Sequence, residues 1–313
     1  MPRRASKPAR TEQRNPRSRG LDRKSTLEIL RVLNREDARV AQAVRRELAS
    51  VARAVEAIVK SFRAGGRLFY VGAGTSGRLA ALDAAECPPT FGTLPARIRA
   101  IVAGGARALR FAVEGAEDSA TFGAHDLARA GVGRRDIVIG ISASGATPYV
   151  LGALKLARRR GAVTISVTST HQSPLARQAR VSIAVDTGAE AVSGSTRLKA
   201  GTAQKMVMNM LSTAAMARLG RIYENWMVYV ALTNKKLQQR GARILEEAAG
   251  VNSSAAEHAL SQARHSLPAA LVMLKSGATA QEARQWLRAS GGNVREAIDA
   301  AARHLSRSKA RVK

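Results

Sequence analysis

The chain has 313 residues, of which 45% are hydrophobic, and it carries a formal net charge of +28 and a single cysteine, Cys87. One cysteine excludes an intrachain disulfide and a cysteine-based metal cage. We find neither an apolar signal segment at the start nor a run of about 18 apolar residues, so we expect no membrane association and a cytoplasmic protein. The length predicts one large domain and a smaller one.

The positive charge is concentrated partly at the two ends. Residues 1–24 hold nine Lys and Arg against two acids, and residues 303–313 hold five and no acid. Such segments usually stay solvated and mobile, so we assign 1–20 and 303–313 as basic tails, the first of them disordered. The remaining charge suits an anionic substrate, and a general arginine bias of the surface explains it at least as well as nucleic-acid binding does. We therefore expect no specific nucleic-acid partner.

Apolar residues recur at helical spacing after the first tail. Between residues 27 and 60 they predict two helices, interrupted near the polar residues 34–37. We assign 21–56 as this N-terminal helical region. Beyond residue 220 the pattern is again all-helical and ends in two short helices around a glycine turn at 291–293, so that 221–302 forms a small helical C-terminal region.

The part between these regions, 57–220, alternates strand and helix patterns. Short apolar runs that end in turn residues predict five strands, at 67–71, 98–103, 136–141, 162–168 and 181–185. Helices follow the first and third strands, at 78–85 and 148–160, and Pro88 and Pro89 should stop the first of these helices. Strand, turn and helix repeated in this order predict an α/β fold, a doubly wound parallel sheet flanked by helices.

Two of the predicted strands end in loops of Gly, Ser and Thr that open a helix. The first loop, 72–77, has the sequence Gly-Ala-Gly-Thr-Ser-Gly, and the second places Ser142, Ser144 and Thr147 at a strand–helix junction. Free backbone N–H groups and the helix dipole at such a position favour a phosphate, and hydroxyls add donors. The first loop also matches the dinucleotide fingerprint, but no acidic residue follows at 98–105 to hold a ribose. The alternative for both loops is that their hydroxyls only cap helices.

Two carboxylates accompany these loops in the sequence. Glu86 lies toward the end of the helix that begins at the first loop, and Glu117 lies in an acidic turn after the second strand. Such a pair can serve as acid and base if their environments separate their pKa values, whereas the alternative is that both are solvated or balance nearby arginines. The five histidines are scattered and form no ligand-spaced set with Cys87, so we expect neither a metal nor a cofactor.

Taken together, these segments resemble the N-acetylmuramic acid 6-phosphate etherases. The resemblance runs in one register from about residue 11 to residue 300. The segments that carry it are 70–79 (YVGAGTSGRL), 83–92 (DAAECPPTFG), 113–119 (VEGAEDS), 143–150 (ASGATPYV) and 194–205 (GSTRLKAGTAQK). The chain departs from the family pattern at Ala146, where arginine is usual, and at Tyr229, where aspartate is usual.

The resemblance implies a sugar-isomerase (SIS) domain at 57–220 with strands in flavodoxin-like order, a homodimer, and a small ubiquitin-associated-like end with a packing role. It implies a lyase that removes D-lactate from N-acetylmuramic acid 6-phosphate, in amino-sugar catabolism and peptidoglycan recycling, without a metal or an organic cofactor. By position, Glu86 matches the acid that protonates the departing lactate, and Glu117 matches the second catalytic carboxylate, the base. The phosphate and substrate ligands would be Gly74, Thr75, Ser76, Ser142, Ser144, Thr147, Ser195 and Lys199. Arg197 and Lys199 are also candidates for stabilising an enolate, or they form a solvated basic loop.

Two other functions remain open on the sequence alone. An aldose–ketose isomerase would need the same phosphate loops and an acid/base pair, but it would form a ketose rather than release lactate. A non-catalytic SIS sensor of sugar phosphates, such as a regulator of sugar kinases or of transcription, need not keep both Glu86 and Glu117. A DNA-binding version should carry a helix-turn-helix ahead of the SIS domain, and residues 1–60 offer only a basic tail and two amphipathic helices.

Overall fold

The computed structural model describes residues 10–312, and the side chains of residues 10–307. The chain clusters into two compact units. The first comprises the chain up to Ala85 together with Pro95–Ser212, and the second comprises Glu86–Leu94 and the chain from Thr213 onward. Within the described residues, no helix has both the length and the apolar character that crossing a bilayer requires.

The first unit begins with two long helices, α1 (Thr26–Arg45) and α2 (Leu48–Arg63). The predicted interruption near 34–37 is wrong, because α1 continues through these residues. The two helices are separated only at 46–47. The polar stretch does not end the helix because Glu36 is buried on the same face as Val32, Val40 and Val44, with cationic partners from elsewhere in the chain. The polarity of Glu36 therefore does not mark an exposed position or a break in the helix.

The assignment of 1–20 as a disordered tail fails for its second half. Residues 10–12 and 16–18 form single turns of 3₁₀-helix, in which Thr11 and Asn15 are buried. The Asn15 amide donates hydrogen bonds to Glu36 (2.8 Å) and to the carbonyl oxygen of Ala189 (3.1 Å), which fixes the segment to the rest of the unit. Residues 1–9 lie outside the described part of the chain.

A parallel sheet of five strands forms the centre of the first unit. The strands are β1 (Leu68–Gly72), β2 (Ile98–Val102), β3 (Ile137–Ile141), β4 (Val163–Thr168) and β5 (Val181–Ala184). Their spatial order is β2-β1-β3-β4-β5, with every neighbouring pair parallel. Strands β1 and β3 are buried along their whole length, which explains their continuous apolar sequences. The predicted doubly wound sheet and its flavodoxin-like order are confirmed.

The helices that accompany the sheet are α3 (Gly74–Phe91), α4 (Ala120–Arg129), α5 (Pro148–Arg159), α6 (Pro174–Gln178) and α7 (Lys199–Arg218). The last residues of α3 and α7 belong to the second unit. The prediction that Pro88 and Pro89 stop α3 is wrong, because the helix includes both and ends before Gly92, whose φ is +61°. Proline has a φ compatible with a helix, although it lacks the N–H donor and its ring crowds the carbonyl group of the preceding turn. Pro88 and Pro89, near the C-terminal end of α3, therefore remove backbone hydrogen bonds of the helix without ending it.

The second unit has a helical core of its own. Its helices are α8 (Lys235–Ala249), α9 (Ser253–Gln262), α10 (Leu267–Ser276), α11 (Ala280–Ala289) and α12 (Val294–Val312). Residues 267–273 of α10 are all buried, and the other helices pack around them. This confirms the predicted helical C-terminal region. The predicted tail at 303–313 is instead helical as far as Val312, because α12 continues through it.

Candidate active site

The two Gly/Ser/Thr loops leave adjacent strands at the same edge of the sheet. Gly72 at the end of β1 is in register with Ile141 at the end of β3, so the loops start side by side. The strand order reverses between these two strands, since β2 lies on one side of β1 and β3 to β5 lie on the other. Ligands of open α/β sheets bind at such a switch point, beyond the carboxyl ends of the strands.

The second loop gathers the three predicted hydroxyls. Ser142 Oγ lies 2.8 Å from Thr147 Oγ1 and 3.3 Å from Ser144 Oγ. Thr147 occupies the N-cap position of α5, yet its side chain accepts no hydrogen bond from that helix, which begins with Pro148. Helix capping therefore does not account for this hydroxyl. Ser144 is exposed beside Ala146, so a ligand can reach the cluster from solvent.

The turn in this loop requires glycine at position 145. Gly145 has a φ of +65°, and a Cβ added there would lie 2.3 Å from Ser173 Oγ and 2.4 Å from Ser173 Cβ. Ser173 cannot yield easily, because its hydroxyl accepts the N–H of Ala176 at the start of α6. The conformation of the loop is thus set by close packing as well as by the turn.

We expect Gly145→Ala to lower the free energy of unfolding by about 2–5 kcal/mol, from the left-handed backbone and the clash together. Gly131→Ala is the matched control, because Gly131 has a φ of +72° with nothing within 4 Å of an added Cβ. It should cost only about 1–2 kcal/mol. Urea unfolding of both variants measures the difference in the free energy of unfolding. Equal decreases in the two variants would show that the clash with Ser173 does not contribute.

The first loop forms the start of α3. Gly74 is exposed, Thr75 is half-buried and Ser76 is buried, and all three lie in the first turn, where backbone N–H groups have no partner within the helix. A Cβ added at Gly77 would lie 2.6 Å from Val102 Cγ1, so this glycine serves the packing of α3 on the sheet. The first turn carries no acidic residue, which leaves its dipole available to an anion.

Glu117 is attached to the helix that follows the second loop. It lies in a turn between β2 and α4, and its carbonyl oxygen accepts the N–H of Tyr149, the second residue of α5 (3.0 Å). Its side chain is exposed. The structure therefore brings Glu117 and the hydroxyl loop to the same end of α5.

Glu86 also has an exposed side chain, but it is distant from the loop that begins its own helix. It lies twelve residues after Gly74 in α3, a separation of about 18 Å at the helical rise. A hexose phosphate held at the first turn of α3 would not extend that far. The structure thus places Glu117 beside the second phosphate loop within the first unit, whereas Glu86 belongs to the second unit.

The segment before α7 approaches the first loop. A Cβ added at Gly201 would lie 3.5 Å from Thr75 Cγ2 and 3.4 Å from the carbonyl oxygen of Thr196. Ser195 is half-buried in the turn that leads into α7, and Arg197 in the same turn is exposed. Both remain candidates for contact with a ligand at the first loop.

Lys199 does not occupy the position predicted for a substrate ligand. Its side chain is 1% exposed, and its ammonium group donates to Glu36 (2.5 Å) and to the carbonyl oxygen of Ala189 (2.6 Å). Because the ammonium group is already bound to these internal partners, we replace the predicted role of substrate ligand with a structural role. No role was predicted for Glu36, although its position on the same helix face as Val32 and Val40 was a signal for a buried acid.

A second buried acid, Glu190, was also missed. Its carboxylate accepts the backbone N–H groups of Lys199 (3.0 Å) and Ala200 (2.9 Å) and so caps α7 from a different segment. Burial raises the pKa of Glu190, and these two hydrogen bonds act in the opposite direction.

For Glu36, burial alone would raise the pKa, but hydrogen bonds from Arg17, Lys199 and Asn15 outweigh the effect of burial and hold the pKa at about 2. Within the described part of the chain, no group of three or more His, Cys, Asp or Glu could hold a metal ion.

A five-stranded parallel sheet with hydroxyl-bearing loops at its switch point is the arrangement expected of a SIS domain, and two family models identify that domain in this chain. The model of the SIS domain matches residues 111–214, and that of the glucokinase regulatory protein N-terminal SIS domain matches residues 50–158. The chain is 48% identical to the N-acetylmuramic acid 6-phosphate etherase of Geobacillus thermodenitrificans (strain NG80-2), over 92% of this chain and 98% of the relative. It is 49% identical to the N-acetylmuramic acid 6-phosphate etherase of Serratia proteamaculans (strain 568), over 92% and 97%. The chain belongs to the N-acetylmuramic acid 6-phosphate etherase family, as the sequence segments predicted.

Among solved structures, the phosphoheptose isomerase of Neisseria gonorrhoeae has 18% sequence identity to this chain and a TM-score of 0.48. That match covers 62% of this chain and all of the isomerase. Another similar structure is the Vibrio vulnificus NanR protein complexed with ManNAc-6P, with 18% identity and a TM-score of 0.45, covering 70% of each chain.

Proposed function

We infer that this protein is a lyase that converts N-acetylmuramic acid 6-phosphate and water into N-acetylglucosamine 6-phosphate and D-lactate. This reaction belongs to amino-sugar catabolism and peptidoglycan recycling. The observation that carries the inference is identity of 48–49% to etherases along 92% of the chain, including the segments around both carboxylates. The hydroxyl loop beside Glu117 supports it, because a sugar phosphate needs an anion site next to the base.

The chemistry requires one base and one acid. The scissile ether oxygen is on carbon 3 of the sugar, beta to the aldehyde of the opened ring. Glu117 removes the proton on carbon 2, because the resulting anion delocalises into the aldehyde, and Glu86 protonates the ether oxygen as the bond to lactate breaks. Water then adds to the double bond: the Glu86 carboxylate takes a proton from the attacking water at carbon 3, and Glu117 returns a proton to carbon 2.

The phosphate would bind at the two loops. The residues proposed to hold it are Gly74, Thr75, Ser76, Ser142, Ser144 and Thr147, with Ser195 close to the first loop. Binding the remote end of the sugar positions carbon 2 against Glu117, so that part of the binding energy is used for orientation. Lys199 is left out of this site because of its internal ion pair.

We expect the double variant Ser144→Ala/Thr147→Ala to raise KM by about 100-fold or more, because each of the two lost hydrogen bonds to a charged group contributes about 1.5–3 kcal/mol. Steady-state lactate release at a series of substrate concentrations measures the change. The control is Ser254→Ala, which removes an exposed hydroxyl from α9. An unchanged KM in the double variant would exclude these hydroxyls from the phosphate site.

The test of the function is D-lactate release from N-acetylmuramic acid 6-phosphate by the purified protein. Release equal to that of the double variant Glu86→Ala/Glu117→Ala would reject the proposal. Formation of a ketose phosphate without lactate would indicate an isomerase instead. Tight binding of the sugar phosphate without turnover would indicate a sensor.

We further propose that the protein is a cytoplasmic homodimer in which a second copy supplies Glu86 to the site. The separation of about 18 Å along α3 supports a shared site, because one chain's own Glu86 would not reach a sugar at its own first loop. Exposed apolar side chains offer an interface: Leu27 and Leu30 on α1 are 55% and 56% exposed, and Phe111 and Phe122 are 63% and 65% exposed. Light scattering coupled to gel filtration would measure the mass, and a monomer would contradict the dimer.

A further inference from the structure

The second unit contains a strongly basic cavity, open to solvent at the surface, that the proposed reaction does not use. It has a volume of about 420 Å³ and lies between α11 and the turn at Gly291 and Gly292. Its charged residues are Arg221, Arg284 and Arg288. We propose that this cavity binds a phosphate monoester of hexose size, at a site separate from the loops of the sheet.

The charge of the cavity calls for an anion. Three guanidinium groups line it, and none of its nine lining residues is acidic. Within the described residues, the ion pairs involve none of these three arginines. Arginine stays protonated in proteins, so the positive charge of these three side chains is permanent. A bound dianion would balance part of this charge.

Arg284 points to the same conclusion through its hydrogen bonding. Its Nη1 atom is buried and has no hydrogen-bond partner. A buried charged donor without a partner is costly to the folded state, so its retention needs a reason beyond stability. Its neighbours on α11, Ala283 and Leu287, are buried and hold the helix face against the core. An oxygen of a bound phosphate would supply the missing acceptor.

The opposite wall of the cavity holds its shape through several contacts. The Cζ atom of Arg221 lies 4.6 Å from the centre of the Tyr229 ring. The Tyr229 hydroxyl donates to the carbonyl oxygen of Gly292 (2.6 Å). Gly292 has a φ of +84°, and a Cβ there would lie 2.9 Å from Arg221 Cζ, so only glycine admits the guanidinium at this distance. The arginine is therefore positioned before any ligand arrives.

The shape and chemistry favour a phosphorylated small molecule. Planar guanidinium groups bind phosphate oxygens through paired hydrogen bonds. A volume of about 420 Å³ exceeds what a phosphate ion fills and falls in the range of small-molecule sites, about 300–1,000 Å³. The remaining space, beside Tyr229 and Ser266, suits the hydroxyl groups and ring of a sugar.

Calorimetric titration with inorganic phosphate and with glucose 6-phosphate tests the proposal. The titrations use the full chain carrying Ser144→Ala/Thr147→Ala, so that the loop site contributes little. We expect one site per chain with tighter binding of glucose 6-phosphate than of inorganic phosphate. Arg284→Met should weaken the affinity at least tenfold and Arg288→Gln several-fold, whereas Arg243→Gln, an exposed arginine on α8, should have no effect. Equal isotherms for all three arginine variants would overturn the site.

Thermal unfolding gives a second readout that separates binding from folding. Glucose 6-phosphate should raise the Tm of the parent protein, because a ligand of the folded state stabilises it, and should raise that of Arg284→Met much less. Without ligand, Arg284→Met should unfold at the same temperature or higher, since it removes a buried unpartnered charge. If that variant fails to fold, Arg288→Gln carries the test, because Arg288 is exposed. The same ligand-induced rise in Arg288→Gln and in its parent would also count against the site.

Discussion

Glu117→Gln should lower kcat for lactate release about 10²–10⁴-fold, the usual contribution of a positioned acid or base. The amide keeps the size of the side chain but cannot accept the carbon 2 proton. The variant should therefore also fail to exchange the carbon 2 hydrogen of the substrate with deuterium oxide, which NMR measures directly. Rapid exchange in Glu117→Gln would contradict its role as the base.

Glu86→Gln should separate the two halves of the reaction. Proton removal at carbon 2 should continue, so that substrate recovered from deuterium oxide carries deuterium. Lactate release should fall by a similar factor of about 10²–10⁴, because the ether oxygen leaves without a proton. Glu257→Gln, an exposed acid on α9, is the matched control and should leave both rates unchanged. Loss of exchange together with lactate release would require the two roles to be reassigned.

Mixing the two inactive variants tests whether the site is shared between copies. If the protein is the proposed homodimer, co-expressed Glu86→Gln and Glu117→Gln chains should form mixed dimers, in which one of the two sites has both native carboxylates if each site takes Glu86 from the partner. With random pairing, about a quarter of the native activity should return. If both carboxylates act within one chain, no mixed dimer has an intact site and no activity should return.

Glu36→Leu should lower the free energy of unfolding by about 3–5 kcal/mol, because it removes the carboxylate that forms the ion pair with the buried ammonium of Lys199. Among the described residues, the carbonyl oxygen of Ala189 would remain as a hydrogen-bond acceptor for this ammonium. Lys199→Met should cost less, since Arg17 and Asn15 still bind Glu36. The double variant Glu36→Leu/Lys199→Met should recover most of the loss, as apolar replacements of buried ion pairs often do.

Urea unfolding of the four proteins forms a double-mutant cycle. The exposed acid Glu257 provides the control, and Glu257→Leu should change stability by no more than about 0.5 kcal/mol. Since the pKa of Glu36 is held near 2, below the ordinary value of about 4.3, its contribution is complete above that ordinary value and declines as the pH falls toward 2. The advantage of the native protein over Glu36→Leu should therefore be smaller at pH 3 than at pH 6. Additive losses in the cycle would contradict the coupling.

The sheet could be predicted from the sequence because its signals are local. Each strand is a short apolar run closed by turn residues, and the parallel order follows from the helices between them. The hydroxyl cluster at 142–147 could be predicted for the same reason. Its three hydroxyl residues lie in one short loop, and the strand order places that loop at the switch point of the sheet. The family could be recognised because its segments share one register along most of the chain.

The errors concern residues whose partners are distant in sequence. The sequence pattern predicts a helix break at Glu36 and a substrate ligand at Lys199, although each residue is the other's buried partner across 163 residues. Nothing near Glu190 marks it as the cap of α7, because the helix it caps begins nine residues later. Polarity alone does not show whether a charge meets solvent, a ligand or another side chain.

The ion pair between Glu36 and Lys199 also has a consequence for synthesis on the ribosome. The amino end of the chain emerges first, but its acid has to wait for a lysine that lies 163 residues later. At about 5–20 residues per second, this delay is about 8–30 s. During that time Arg17 can already pair with Glu36, but the apolar face of α1 lacks the contact that Lys199 of α7 supplies, so the nascent N-terminal helices should depend on chaperone protection until α7 has been translated.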